Sequence, residues 1–291
     1  MPDTVRQKLL FSVSMFIYGT IGVFVRHIPF PSGVIALARG VIGTLFLLVW
    51  MRLRRLSPDA AAIRRNLLLL VVSAAVMAFN WILLFEAYRY TTVAIATLCY
   101  YFAPVFLLAA SPAVLGERLR GRQAACMLAA LVGMVFVSGV PQSGLPDIAQ
   151  VRGIAYGVGA AALYAAVMLL NKRMRAIGAY DRTVVQLGVS AAVMLAYVLA
   201  TGQAEGLPLT PAAVGMTVIV GIVHTGIAYA FYFGSLGVLR AQTVAILSYI
   251  DPVVAILLSV LLLREPTTAS AMFGAVLVLG STLVSELGDR T

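Results

Sequence analysis

Apolar residues in this chain come in long unbroken runs, separated by short polar breaks. Ten runs are evident: Leu9 to Val25, Gly33 to Met51, Leu67 to Tyr88, Thr92 to Leu115, Ala124 to Val140, Ile154 to Asn171, Val184 to Ala200, Ala212 to Leu236, Thr243 to Leu263 and Ala271 to Glu286. Each approaches the ~20 residues that a helix needs to cross the hydrocarbon of a bilayer. A transmembrane barrel would show short alternating segments instead, so the pattern predicts an all-α membrane protein with ten transmembrane helices. The first run follows Arg6 and Lys8 as a secretory leader would. No clear small-residue cleavage site comes after it and the rest of the chain is equally apolar, so it is expected to remain as the first helix.

The pattern also repeats. Tyr101, Pro104, Val105, Ser111 and Glu117 recur 148 positions later as Tyr249, Pro252, Val253, Ser259 and Glu265. With five spans in each half, an odd number of crossings separates equivalent positions. The second half therefore enters the membrane inverted, an arrangement of secondary transporters. The segment Pro141-Gln142-Ser143-Gly144-Leu145-Pro146 is the natural linker, dividing the chain into repeats at 1–140 and 141–291. The longest polar connections, Ser57 to Asn66, Pro141 to Gln150 and Thr201 to Pro211, are too short to be soluble domains.

Composition agrees: 62% of residues are hydrophobic and 11% charged, against about 25% charged in an average soluble domain. A net charge of +10 would suit nucleic acid, but the positions of the charges argue against it. With the N-terminus in the cytoplasm, 16 of the 21 basic residues fall on the inside, in clusters such as Arg52, Arg54, Arg55, Arg64 and Arg65. Arg26, Arg89, Arg152 and Arg264 fall outside and Arg39 within a span. That asymmetry is the positive-inside rule for a protein with both termini cytoplasmic, with anionic lipid a secondary partner. Cys99 and Cys126 have no CxxC spacing and signal neither disulfide nor metal. No cofactor is implied, and an intramembrane enzyme lacks its parts: there is no HExxH, no paired intramembrane aspartate and a single intramembrane histidine.

Tyr18-Gly19 in the first span is answered by Tyr164-Ala165 in the sixth. Together with Pro104, Pro252 and the Gly116-Glu117-Arg118 and Arg264-Glu265-Pro266 ends, this ordered set resembles the EamA family of the drug/metabolite transporter superfamily. The resemblance spans nearly the whole chain. It implies an exporter-like fold in a bacterial inner membrane, with a central cavity lined by both halves. The family's cargoes are diverse, amino acids among them, so the resemblance constrains the fold better than the substrate.

Charges inside the spans are the sharpest candidates for function, because each costs about 2.5–3.5 kcal/mol on insertion scales. Asp251 precedes Pro252, and its counterpart is Ala103, so the repeat did not require it. It either binds a cationic group or exchanges a proton, or it is paired structurally with a neighbouring helix. Arg39 is its expected opposite charge; it holds a substrate carboxylate or locks helices together, and Gln186 occupies the matching place. His224 is a proton carrier or a helix-to-helix hydrogen bonder. Asn80 and Glu86, six residues apart, lie off a common face, with Glu86 expected at the outer mouth beside Arg89.

Trp81, Phe85 and Tyr88 share one face of the third span, and Tyr100, Tyr101, Tyr229 and Tyr249 crowd the spans around the prolines, as cavity walls or as packing. Pro104 and Pro252, read as mid-span, are expected to kink or hinge their helices and to free the carbonyls of Tyr100 and Ser248. Gly153, Gly157 and Ala161, and Gly19, Gly22 and Val23, are expected to let helices approach closely. Glu117 and Glu265 read as structural termini. The expectation is a secondary transporter, monomer or homodimer, that exports an amphiphilic metabolite, an amino acid or related amine, by alternating access with protons as candidate coupling ions. A passive uniporter or channel, or a structural membrane subunit, is the alternative.

Overall fold

A computed structural model describes residues 3–115, 121–137, 147–236, 238, 239, 243 and 247–288. The linker at 141–146 and the Gly116-Glu117-Arg118 end lie outside the described residues. Among those described, helix is the only regular structure. The chain runs through α1 (Asp3–His27), α2 (Ser32–Leu53), α3 (Ala60–Arg65), α4 (Leu67–Tyr90), α5 (Val93–Tyr100), α6 (Ala103–Leu115), α7 (Gly121–Val137), α8 (Ile148–Arg173) and α9 (Ala179–Ala200). It continues through α10 (Pro211–Ile219), a π-helical stretch (Val220–Ile227) and α11 (Ala228–Leu236), which form one rod, then α12 (Ile250–Leu261) and α13 (Ala269–Gly288). Six of these are long and apolar enough to cross a membrane, the rod among them, and four shorter apolar helices accompany them.

Polar residues at the breaks start the helices. Thr92, Asp147 and Thr210 each accept a backbone N–H three residues on, from Ile95, Gln150 and Ala213, a cap worth about 1 kcal/mol. Asp59 does the same for Ala62 at 2.9 Å, so the connection expected over Ser57 to Asn66 contains the short helix α3.

The expected span from Thr92 to Leu115 is interrupted: α5 stops at Tyr100 and α6 begins at Ala103. Pro104 therefore stands in the first turn of a new helix, where a missing N–H has no partner to lose. Pro252 likewise falls in the first turn of α12. Both prolines open a helix where a mid-helix kink was expected, and among the described residues Pro112 is the proline lying inside a helix.

The halves interleave. α4 packs chiefly on α8, and in the exchanged sense α1 packs on the rod. α2 lies against the rod as α9 lies against α4; α5 and α6 meet α8 as α12 meets α1. The pairs α2 with α9, α5 with α12 and α7 with α13 join corresponding elements directly. Each half thus buries its helix faces largely against the other.

Small residues set the closeness of these contacts. Gly157 of α8 leaves room for Cys99 of α5, and Gly19 of α1 faces the backbone oxygen of Asp251, where an added Cβ would stand 2.5 Å away. The π-helical stretch serves α2. Gly221 and Gly226, five apart, receive Ile42 and Phe46, which are four apart on α2, so the wider π turn brings the two spacings into register. α7 and α13 cross at Gly133 and Gly274, where a Cβ on Gly274 would lie 2.5 Å from the Gly133 oxygen and 2.7 Å from the Val137 nitrogen. Backbone cannot yield as a flexible side chain does. Gly274→Ala is expected to cost about 1–3 kcal/mol, read as a lowered midpoint of thermal unfolding in detergent. Gly215→Ala, whose Cβ meets nothing within 4 Å, is expected to hold or raise the midpoint, since Ala exceeds Gly in helix propensity by about 1 kcal/mol.

Candidate functional site

The break between α5 and α6 and the start of α12 bring Tyr101 and Tyr249 together as a tilted pair, with ring centroids 6.3 Å apart. The Tyr101 hydroxyl lies 2.9 Å from Asp251 Oδ2 and 3.2 Å from the Ser248 carbonyl. The carbonyl four residues before Pro252 was expected to lack a helical partner, and here a tyrosine of the other half occupies it. Asp251 stands in the first turn of α12, where the positive end of the helix dipole favours a carboxylate. Tyr101 is its hydrogen-bond partner, and no cation among the described residues pairs with it.

Aromatic rings continue from this turn. Ile250 packs in one cluster with Tyr18 and Tyr232; Tyr18 meets Tyr229 edge-on at 5.8 Å, and Tyr100 stacks on Tyr164 at 5.2 Å. Asn80 anchors the wall, its amide donating to the Ala160 carbonyl at 2.6 Å while its oxygen lies 3.4 Å from the Tyr100 hydroxyl. These tyrosines are partly open, Tyr164 to 38%, whereas Trp81, Phe85 and Tyr88 are buried. Since α4 runs from Asn80 through those three toward the turn between α1 and α2, this ring-lined chamber is buried toward that turn and partly exposed at the tyrosines.

Arg39 does not meet Asp251, contrary to expectation. α2, which carries Arg39, packs on α4, α9 and the rod, whereas α12, which carries Asp251, packs on α1 and α5. Arg39 is 5% exposed; its Nε donates to Thr225 Oγ1 at 2.9 Å and its guanidinium lies 4.3 Å from the centre of the Trp81 ring. Gln186 makes the corresponding link in the other half, donating to Ser73 Oγ at 2.7 Å and Asn171 Oδ1 at 2.8 Å. His224, next to Thr225, is buried with Nε2 2.9 Å from Thr20 Oγ1. The Thr20 hydroxyl also lies 2.7 Å from the Ile17 carbonyl, so it links the imidazole to the backbone of α1. Both residues thus join helices in this arrangement.

Glu265 sits at that same end. It accepts the Val93 N–H at 2.8 Å and the Ser259 hydroxyl at 2.5 Å, and pairs with Arg26 at 3.5 Å. Arg26 also donates to the carbonyls of Tyr88 and Thr91. The ends of α1, α4, α5 and α12 are thereby tied together, with Arg26 rather than neighbouring Arg264 as the cation. Glu86 lies on another face of α4 from Asn80, as the spacing required, and accepts the Ser32 hydroxyl. Arg89 donates to the Phe30 carbonyl and makes no ion pair with Glu86. Thr225, Thr20, Ser32 and Arg26 carried no sequence signal for these contacts. Tyr18 and Tyr164 were visible as a repeated pair, though not as chamber walls.

The profile of the EamA-like transporter family matches residues 7–139 and again 151–286. The Bacillus subtilis (strain 168) protein described as "Uncharacterized transporter YxxF" is 30% identical over 249 residues, covering 84% of this chain and 78% of its own. An Archaeoglobus fulgidus "Uncharacterized transporter" is 26% identical over 275 residues, with 94% and 93% covered. A solved structure titled "Crystal structure of protein" shares the fold at TM-score 0.65 and 18% identity, covering 97% of both chains. Interleaved helical halves, an aromatic chamber and a profile matched twice lead to one statement: this chain is a multi-pass membrane protein of the EamA-like transporter family.

Proposed function

We propose that the protein is a secondary active transporter that moves a small amphiphilic metabolite, an amino acid or related amine, out across the cytoplasmic membrane of a bacterium. It crosses ten times as two inverted five-helix repeats, 1–140 and 141–291, with both termini in the cytoplasm. The observation that carries the reading is Asp251: a carboxylate inside an apolar bundle, held by Tyr101, with no cation among the described residues to neutralise it. A charge in that position requires a partner, and an ammonium or a proton supplies one. The surrounding tyrosines suit an ammonium with an apolar body. Proton exchange at Asp251 is the coupling step, and Tyr101, Tyr249, Tyr100, Tyr229, Asn80 and the Ser248 carbonyl line the path. Trp81, Arg39 and His224 form its floor.

Alternating access follows from the two ends. The chamber opens toward the cytoplasm, and the Glu265 network seals the outer end. Pro104 and Pro252 begin the helices that swing, so the helix starts at α6 and α12 are where the movement takes place. Opening outward requires Glu265 to release Val93 and Arg26.

Two measurements test this reading. In proteoliposomes with a pH gradient, saturable uptake of a labelled amino acid or amine is expected, and Asp251→Asn is expected to abolish gradient drive while leaving exchange. Gradient-driven uptake unchanged in the variant would reduce Asp251 to a structural role. With Cys126→Ser removing the other thiol, Cys99 is buried between α5 and α8. Glu265→Gln is expected to raise its labelling rate by an aqueous thiosulfonate several-fold by freeing α5, and an unaltered rate would exclude this contact as the seal.

A further inference from the structure

A cavity of about 460 Å3 lies away from the central chamber, behind α4 and beside the turn from α1 into α2. α4 turns toward it Phe79, Leu83 and Glu86, the face opposite Trp81, Phe85 and Tyr88. Tyr156 of α8 and Tyr197 of α9 line the other walls. Its volume falls within the ~300–1,000 Å3 of small-molecule sites.

Two charged side chains line it, Glu86 and Arg89. Glu86 Oε1 accepts the Ser32 hydroxyl at 2.5 Å, and among the described residues Glu86 has no ion pair or other hydrogen bond. Arg89, three residues on and also in the lining, points its guanidinium at the Phe30 carbonyl and makes no ion pair with Glu86, so the carboxylate is left for a cation from outside. A second acceptor, Gln203 Oε1, is buried at the same wall without a hydrogen-bond partner. It closes over Gly33, where a Cβ would meet it at 2.5 Å. A carboxylate oxygen and an amide oxygen thus lie beside tyrosine faces and an apolar bed. An ammonium brings three donors to the acceptors and a charge to the rings.

We propose that this cavity is a second binding site, for the ammonium end of an amphiphilic amine, with Glu86 as its anion. The amine is either free or the headgroup of phosphatidylethanolamine. The site stands apart from Asp251 and does not depend on the chamber's role.

The test uses the full chain carrying Asp251→Asn, which removes the central carboxylate, in phosphatidylcholine nanodiscs with radiolabelled 2-phenylethylamine as probe. Saturable binding is expected, with 2-phenylethanol failing to compete. Adding Glu86→Gln is expected to weaken binding at least tenfold. Leu83→Trp, which fills the cavity and keeps the carboxylate, is expected to do the same. Unchanged gel-filtration profiles and unfolding midpoints show that both variants fold. Nanodiscs with half their lipid as phosphatidylethanolamine separate the sources: displacement of the probe identifies the headgroup as occupant, and undiminished binding identifies the free amine. Binding unaltered by both substitutions, equal competition by the alcohol, or no saturable binding in phosphatidylcholine would overturn the proposal.

Discussion

The interaction on which this fold depends is the burial of each half against the other. In lipid there is no hydrophobic force between helices, since acyl chains are as apolar as leucine, and association rests on close packing and on hydrogen bonds. The chain meets that condition by interleaving. α4 lies on α8 and α1 on the rod, with Gly153 beside Thr91 and Gly157 beside Cys99 on one side and Gly19 beside the Asp251 backbone on the other. Neither half presents a complete packing surface to itself, so the chamber between them is a product of assembly rather than a feature of either repeat.

The symmetry of that assembly is broken where charge enters. Arg39 and Gln186 occupy matching places and both tie helices together, yet one is a full charge without a carboxylate among the described residues and the other a neutral amide bonded at its NH2. A guanidinium over an indole gains about 0.5–2 kcal/mol, part of what its transfer from water costs. Asp251 opposite Ala103 is the second break. Here the start of α12 supplies the helix dipole and Tyr101 a hydrogen bond from the other half. Each charge is stabilised by local structure, and neither by the other.

Much of the architecture was legible in the chain. Continuous apolar runs gave the long helices, because a span must be apolar on every side that meets lipid, and the spacing of Trp81, Phe85 and Tyr88 gave the buried face of α4. Asn80 and Glu86 separated as six residues of helix require. The interruption at Tyr101 and Phe102 was not legible, because an apolar run is the same whether it is one helix or two. The prolines marked the place, but their position relative to the start of α6 and α12 decides between a kink and a new beginning. The pairing expected between Arg39 and Asp251 failed for a related reason: opposite charge is visible in sequence, but the adjacency of α2 and α12 is not. The π-helical stretch under His224 left no trace either, since one widened turn does not alter composition.

Interleaving also has a consequence during synthesis. α4 is complete at Tyr90, but α8, its chief partner, ends only at Arg173. At about 5–20 residues per second, the ribosome needs about 4–17 seconds to cross that interval. For that time the polar groups on α4 that will face α8, Asn80 foremost, are in the membrane or at the translocon without their final acceptors. The first half is therefore a client of whatever shelters nascent spans, and the duplicated chain cannot mature half by half.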